Sequence, residues 1–191
     1  MPSRDGDVEP GRRRLNWGIY AAIPGPPAPV YPGGASRAQI DEVRRLGREM
    51  AGYIHEIVDA TEDPFLQPIH DLRVPSYRRG RICLLGDAAT VARPHTAGGV
   101  EKAVMDAIAL AEALSTEATI DGALETWDRA RSAVGRDLVT LGEALGRALV
   151  TEPPDWVAMS WAEMERWWES SMRGHRWYPV AEVAESTPRG S

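Results

Sequence analysis

The sequence predicts an α+β (or α/β) fold with a helical C-terminal third. A short strand-like run at residues 81–85 is followed by a proline-bearing loop and then by an apolar helix that begins at the Gly98-Gly99 pair. Farther on, apolar residues recur every three or four positions over residues 121–150, which is the spacing of an amphipathic helix. Other strand signals are short. We therefore expect only a partial mixed sheet beside the helices.

The composition narrows the possible functions. A chain of 191 residues, 43% of them hydrophobic, is long enough for one ordinary domain with a true core. The formal net charge of −6, with no basic cluster beyond residues 12–14, argues against a nucleic-acid module. No apolar run approaches the ~20 residues of a membrane span. The charged first residues lack the apolar centre of a signal peptide, so we expect a cytoplasmic protein without a membrane anchor.

Cysteine and histidine are too few and too scattered for a metal centre. Cys83 is the only cysteine, which excludes an intramolecular disulfide and any multi-cysteine site. It lies in the apolar strand before the loop, so we expect a core thiol. His55, His70 and His175 have no partners at metal-ligand spacing, and we predict no metal.

The N-terminal third reads as a strand, a loop and a helix. Residues 15–23 alternate between apolar and other positions, as a half-buried strand does. Residues 24–34 contain five prolines and three glycines, which indicates a loop. Ser36 and Gln39 form a capping box, and the apolar positions after it predict one helix that continues to Ile57.

The later elements are predicted from the same kinds of pattern. Residues 65–74 are expected to form one or two short strands, and a second capping box, Ser160 with Glu163, opens a short helix. The helix after Gly99 is expected to bury one apolar stripe. That stripe consists of Val100, Ala103, Val104, Ala107, Ile108, Ala111 and Leu114.

Residues 80–114 carry the clearest functional pattern. Gly86-Asp87 ends the strand, Pro94 stiffens the loop, and Gly98-Gly99 opens the helix. This order places one carboxylate and a row of free backbone N–H groups around one spot, where a polar, partly anionic ligand can bind. Each part also has an ordinary structural explanation: Asp87 as a helix or turn cap, the prolines as loop residues, and the glycines as a turn.

The succession of GDAA, ARPH, Gly-Gly and Met-Asp-Ala-Ile resembles the second flavin-contacting motif of the class A FAD-dependent aromatic hydroxylases. These are the para-hydroxybenzoate hydroxylase-like flavoprotein monooxygenases, and the motif sequence is most similar to that of the 2,6-dihydroxypyridine hydroxylase-like group. The close resemblance covers residues 73–114, and a looser one covers residues 14–149. It implies FAD as cofactor, NAD(P)H as co-substrate of the complete enzyme, and a small aromatic or heteroaromatic ring as substrate.

The resemblance also implies roles for residues. Asp87 would accept hydrogen bonds from the ribityl hydroxyls of FAD, Pro94 would lie beside the isoalloxazine ring, and the first helix amides would face its N1 and O2 atoms. The implied cofactor-binding residues are Gly86, Asp87, Pro94, Gly98, Gly99 and Val100.

Three residues near this motif have less definite roles. Arg93 and His95 flank Pro94, and either could face the substrate, the nicotinamide or solvent. His95 is our candidate catalytic residue, and no other is identified. Glu101 stands where many relatives carry Asn, and we expect it to face solvent at the helix N-terminus.

Half of the family's machinery has no counterpart in this sequence. The G-x-G-x-x-G turn that holds the FAD pyrophosphate is absent, and so is the family's middle Asp-Gly motif. The sequence therefore looks like the C-terminal half of a hydroxylase. It could be a truncated product, one half of a split enzyme with a complementing N-terminal subunit, or a non-catalytic remnant that binds a partner. We expect the isolated chain to bind FAD weakly or not at all.

The resemblance suggests five segments. They are a flexible tail (1–13), the remainder of a substrate-binding domain (14–79), the flavin-contacting strand, loop and helix (80–115), a C-terminal helical region (116–180) and a frayed tail (181–191). Five of the seven tryptophans follow Asp155, more than one short helix can bury. A homodimer or another subunit contact is therefore expected.

Overall fold

A computed structural model describes residues 1–3, 5–22 and 34–172, and the α+β class is confirmed. Its helices are α1 (Arg37–Arg48), α2 (Gly52–Asp59), α3 (Gly99–Thr116), α4 (Ile120–Gly146) and α5 (Trp161–Ser171). Its strands are β1 (Leu72–Arg73), β2 (Arg78–Arg79), β3 (Ile82–Cys83) and β4 (Thr90–Val91). Short 3₁₀ turns span Gly86–Ala88 and Pro94–Thr96, and a π-helical turn, Arg147–Thr151, follows α4.

The strands form two separate antiparallel pairs where we expected one region of mixed sheet. β1 pairs with β4, and β2 pairs with β3 through a tight turn at Gly80, whose φ of +60° suits a residue without a side chain. The strand before the motif is shorter and more open than its apolar sequence predicts, since Ile82 is 72% exposed. Short ladders of this kind depend on packing against the helices for their stability.

One helix was predicted after Ser36, and that prediction is wrong because the chain folds back. The capping box is confirmed: Ser36 Oγ accepts from the Gln39 amide at 3.3 Å, and Gln39 Oε1 accepts from the Ser36 amide at 2.9 Å. The helix then breaks at Ala51, whose ψ is 144°. The reversal lets α2 bury Val58 against Gly47, where an added Cβ would lie 2.9 Å from Val58 Cγ1. A straight helix could not make that contact.

The strand predicted at residues 15–23 is also wrong, because residues 15–22 have no ladder partner in the described part of the chain. Their alternation does appear as burial: Trp17, Ile19 and Ala21 are half-buried and the residues between them are exposed. The Trp17 indole donates to Thr61 Oγ1 at 2.9 Å, which fixes the segment to the end of α2. Ile23 and most of the predicted loop lie outside the described residues.

The long helix predicted after residue 120 is confirmed as α4, with Thr119 Oγ1 accepting from the Gly122 amide at its start. It buries Leu124, Trp127, Leu141 and Leu145, as the three-to-four spacing predicts, whereas Val134 at the same spacing is 42% exposed. The main core lies between α4, α3 and the strand-turn segment before them. Its buried members are Tyr77, Ala89, Ala113, Ala123 and Trp127.

The predicted buried stripe of α3 is wrong. Val100 is 81% exposed and Val104 is 52% exposed, and Ile108 and Leu114 are also largely open. The buried residues of the helix are Lys102, Asp106 and Ala113 instead. A buried ion cluster at Asp106 fixes the rotation of the helix, so its apolar flank faces away from α4. None of the described elements covers that flank.

The C-terminal helix α5 has the predicted capping box, with Ser160 Oγ accepting from the Glu163 amide. Trp156 and Trp167 pack edge to face at a centroid distance of 4.6 Å, whereas Trp161 is 73% exposed. Trp177, His175 and the predicted frayed tail lie beyond the described residues. No described helix is long and apolar enough to cross a membrane.

Candidate functional site

The Gly86–Ala88 turn is built by close packing against α3. Gly86 is buried and has a φ of +56°, and a Cβ there would lie 3.2 Å from the Cβ of Ala103. Both observations require glycine at this position. The turn is closed by a 3.0 Å hydrogen bond from the Ala89 amide to the Gly86 carbonyl. The next residue, Asp87, is exposed and its carboxylate is accessible to a ligand.

The first turn of α3 presents uncapped amides to open space. The first helical hydrogen bond runs from the Lys102 amide to the Gly98 carbonyl at 2.9 Å, and no side chain caps the helix. A Cβ added at Gly99 would meet nothing within 4 Å. The N–H groups of Gly99 and Val100 therefore lie outside the helical ladder beside an accessible space. Such a helix start favours a polar or anionic ligand group.

The loop before α3 is held firmly at several points. It forms a 3₁₀ turn at Pro94–Thr96, and the buried Thr96 accepts a hydrogen bond from the Gly98 amide at 3.2 Å. Arg93 Nε donates to Asp71 Oδ2 at 2.9 Å. The loop also packs closely on α4, where a Cβ at Gly142 would lie 3.2 Å from the Arg93 nitrogen. His95, the middle residue of this turn, thus lies between Arg93 and Thr96, which are both held by hydrogen bonds.

His95 lines a mostly apolar cavity of about 640 Å³. Its ring packs on Tyr20 at a centroid distance of 4.5 Å. Both ring nitrogens are buried and have no hydrogen-bond partner among the described residues. The other lining residues are Trp17, Gly18, Ile19, Met50, Ile54, Ile57, Val58, Pro94, Leu149 and Val150.

The electrostatic surroundings of His95 favour the neutral imidazole. Burial lowers the pKa of His95 from its usual value, the nearby Arg93 guanidinium lowers it further, and Asp71 acts in the opposite direction. A neutral imidazole has one nitrogen that can accept a proton and one that can donate a hydrogen bond. Neither nitrogen is accessible in this structure, so the His95 side chain would have to turn before it could form a hydrogen bond with a ligand in the cavity.

The remaining candidates have structural surroundings. Cys83 is half-buried beside the core, and burial raises the pKa of its thiol, so it is not an activated nucleophile. His55 is 2.8 Å from Asp59 on the surface of α2. No group of three or more His, Cys, Asp or Glu residues in the described part of the chain could hold a metal ion.

The sequence reasoning missed two residues next to the turn. Lys102 and Asp106 are buried, and their side chains meet each other at 2.6 Å and contact the Gly86 peptide. Their i,i+4 spacing in an otherwise apolar helix was the available sign, because oppositely charged residues at that spacing meet on one face. Of the predicted ligand residues, Gly86 and Gly98 are buried, and Asp87, Pro94, Gly99 and Val100 are exposed.

The segment that contains this site matches a known family. Residues 54–141 match the family described as FAD binding domain. Over part of its length the chain is similar to FAD-dependent aromatic hydroxylases. It is 29% identical to 2,6-dihydroxypyridine 3-monooxygenase of Paenarthrobacter nicotinovorans over 53% of this chain and 26% of that protein. It is 32% identical to a salicylate hydroxylase of Pseudomonas putida over 59% of this chain and 26% of the relative.

Solved structures of these hydroxylases share the fold. The structure of 2,6-dihydroxypyridine-3-hydroxylase from Arthrobacter nicotinovorans superimposes with a TM-score of 0.58 at 26% identity, over 64% of this chain and 31% of that one. A salicylate hydroxylase substrate complex gives a TM-score of 0.60 over 90% of this chain and 42% of that one, at 22% identity. That second likeness concerns the fold alone. The chain spans about a quarter of the length of the two curated relatives.

These findings confirm the resemblance to flavoprotein monooxygenases with FAD as the cofactor of the family. The individual ligand residues and the segment boundaries stay predictions.

Proposed function

We propose that this chain supplies the flavin-contacting part of an FAD-dependent, NAD(P)H-using monooxygenase that hydroxylates a small aromatic or heteroaromatic ring. One observation carries the proposal: the Gly86–Ala88 turn packs against α3 beside uncapped amides that face open space. It lies within the segment that matches the FAD binding domain family. The similarity to bacterial flavin hydroxylases leads us to propose a cytoplasmic location as well.

The residues present suit the flavin end of FAD. Asp87 is the exposed middle residue of the Gly86–Ala88 turn, directly after the buried Gly86, so its carboxylate can accept hydrogen bonds from ribityl hydroxyls. The amides of Gly99 and Val100 can stabilise negative charge at N1 and O2 of the flavin. Pro94 fixes the loop beside the ring. Bound FAD supplies the activation of oxygen, and these residues bind and orient it.

We propose the His95 cavity as the place of the aromatic ring. A volume of about 640 Å³ lies within the usual size range of small-ligand sites, and its lining is mostly apolar. Once the His95 side chain turns its buried nitrogens toward the cavity, the neutral imidazole can accept a proton from a ring hydroxyl and so enrich the ring in electrons. His95 would then be the residue that touches the reacting ring, and Arg93 would position it through the loop.

The proposal includes a complementing polypeptide with the pyrophosphate-binding turn. Relatives of this chain are more than twice its matched length. The exposed apolar flank of α3, which we define as Val100, Val104, Ile108 and Leu114, is a surface that such a partner would bury. A non-catalytic partner-binding protein would use the same flank without restoring flavin binding.

A complementation experiment tests the proposal. The chain is mixed with the N-terminal part of a hydroxylase relative, and bound flavin is measured by its visible absorbance after gel filtration. We expect a yellow complex with the parent chain, weaker retention of FAD with Asp87→Ala, and none with Gly99→Val, whose side chain would fill the open space. Asp121→Ala is the control, because Asp121 lies on the surface and pairs with exposed Arg81 at 3.4 Å.

Two results would count against the assignment. If the Asp87 and Gly99 variants retain FAD as the Asp121 control does, the motif does not contact the flavin. If a stable complex forms without flavin, the non-catalytic alternative is favoured.

A further inference from the structure

The most enclosed polar cluster of the described chain lies directly behind the Gly86–Ala88 turn. Asp106 is fully buried on α3, and its carboxylate meets two cations. Lys102 Nζ is 2.6 Å from Asp106 Oδ2, and Arg131 Nε, from α4, is 2.8 Å from Oδ1. The side chain of Lys102 is only 4% exposed. We define these three residues as the Asp106 cluster.

The cluster contacts both polar groups of the residue before Asp87. The Gly86 amide donates to Asp106 Oδ2 at 3.4 Å, and Lys102 Nζ donates to the Gly86 carbonyl at 3.5 Å. Both bonds are at the long end of the range, but each involves a charged partner, which strengthens a hydrogen bond. Lys102 and Asp106 lie on the same face of α3. Together they bond the N–H and the C=O of Gly86, the residue with the left-handed φ.

Other contacts keep the cluster in place. The Trp127 indole donates to the Asp106 carbonyl at 2.9 Å, which ties α4 to the same residue. Lys102 Nζ lies 4.5 Å from the ring centroid of Tyr77, and the Tyr77 hydroxyl pairs with Thr90 just after the turn. The Lys102 ammonium thus lies between the turn, the carboxylate and an aromatic face.

Stability alone does not account for such a cluster. A buried ion pair can often be replaced by apolar side chains of similar volume with no loss of stability. One acid with two bases also leaves one formal positive charge inside the protein. What the ions provide that apolar side chains cannot is directional contact with the Gly86 peptide.

We propose that Lys102 and Asp106 are positioning residues that hold the Gly86 peptide and thereby fix the direction in which the Asp87 side chain points out of the turn. The inference rests on the proposed role of Asp87 for its functional meaning. Its test needs no flavin, so a failure to bind FAD and a failure of this inference are distinguishable.

The test compares Lys102→Met with Arg129→Met in the full chain. Lys102→Met keeps the length of the side chain and leaves Asp106 paired one to one with Arg131, whereas Asp106→Ala would leave two buried cations unpaired and could prevent folding. Arg129 forms an exposed pair with Glu125 on α4 and serves as the control. Hydrogen exchange of the Gly86 and Ala89 amides is measured by NMR, together with urea unfolding.

We expect the two turn amides to exchange about tenfold faster in Lys102→Met, as the loss of one charge-assisted hydrogen bond implies. Amides in the middle of α4 should keep their parent rates, and the unfolding midpoint should stay close to that of Arg129→Met. Equal exchange at the turn in both variants would overturn the proposal. So would an acceleration shared by all amides, or a Lys102→Met chain that does not fold, since either would make Lys102 a general stability determinant.

Discussion

Replacing Gly135 by alanine should destabilise this protein, although alanine is normally the better helix former. Gly135 is buried in the middle of α4. A Cβ there would lie 1.8 Å from the hydroxyl oxygen of Tyr77 and 2.5 Å from Thr90 Oγ1. Tyr77 is only 1% exposed, so its ring has no room to move away. The two hydroxyls that would be displaced are bonded to each other.

The magnitude follows from three contributions. Gly to Ala within a helix stabilises by about 1 kcal/mol. Overpacking of a dense core costs about 1–3 kcal/mol, occasionally more. Loss of the buried hydrogen bond between Tyr77 and Thr90 costs about 1 kcal/mol. We therefore expect a net loss of about 1–3 kcal/mol in the free energy of unfolding.

Urea unfolding followed by tryptophan fluorescence measures the effect. The double variant Gly135→Ala/Tyr77→Phe removes the clashing oxygen, so it should be more stable than the sum of the two single changes predicts. Gly52→Ala is the control, because a Cβ there would meet nothing within 4 Å. A Gly135→Ala protein as stable as the parent, or a double variant with no such coupling, would refute the packing argument.

Three further predictions concern binding, assembly and pH. The isolated chain should show no tight FAD binding in a fluorescence titration. The reason is that roughly 3–4 hydrogen bonds of ~0.5–1.5 kcal/mol each cannot offset an association cost of several kcal/mol. A sub-micromolar Kd would contradict this prediction. Light scattering should find a dimer, a complex or aggregation, because the flank of α3 is uncovered, and a monomer of 20.9 kDa at high concentration would argue against it. Burial lowers the pKa of His95, so the stability it contributes is complete above its unfolded pKa of ~6.5 and is lost as the pH falls below that value. His95→Gln should therefore lose less stability than the parent between about pH 7 and 5, and equal losses would contradict the assignment.

Local patterns predicted where helices begin better than where they end or which face they bury. The capping boxes at Ser36 and Ser160 depend on residues three positions apart, and both form as expected. The apolar spacing of α4 holds for Leu124, Trp127, Leu141 and Leu145, but Val134, at the same spacing, is 42% exposed. Capping boxes and apolar spacing depend on residues close together in the sequence, so they can be predicted from the sequence alone.

Errors arose where distant parts of the chain decide the outcome. The α3 stripe is apolar in sequence, yet Asp106 and its cations occupy the buried face, because Arg131 from another helix pairs with them. The glycine motif around Gly86 could be recognised, but its contact with Ala103 could not be derived from spacing. The cavity at His95 joins segments more than 70 residues apart, from Trp17 to Leu149, and no local pattern predicts it.

Helix α4, with 27 residues, also sets the distance between two parts of the candidate site. Gly135 of α4 packs against the Tyr77 and Thr90 hydroxyls, close to the Gly86–Ala88 turn. Gly142 packs against the loop that contains His95. Gly135 and Gly142 are seven residues apart, which is roughly 10 Å along the helix and nearly two whole turns. Both therefore face the same side of α4. One inserted residue between them would rotate Gly142 by about 100° around the helix axis relative to Gly135. The number of residues between Gly135 and Gly142 therefore sets the distance between the two halves of the site, and an insertion between them should disrupt both contacts.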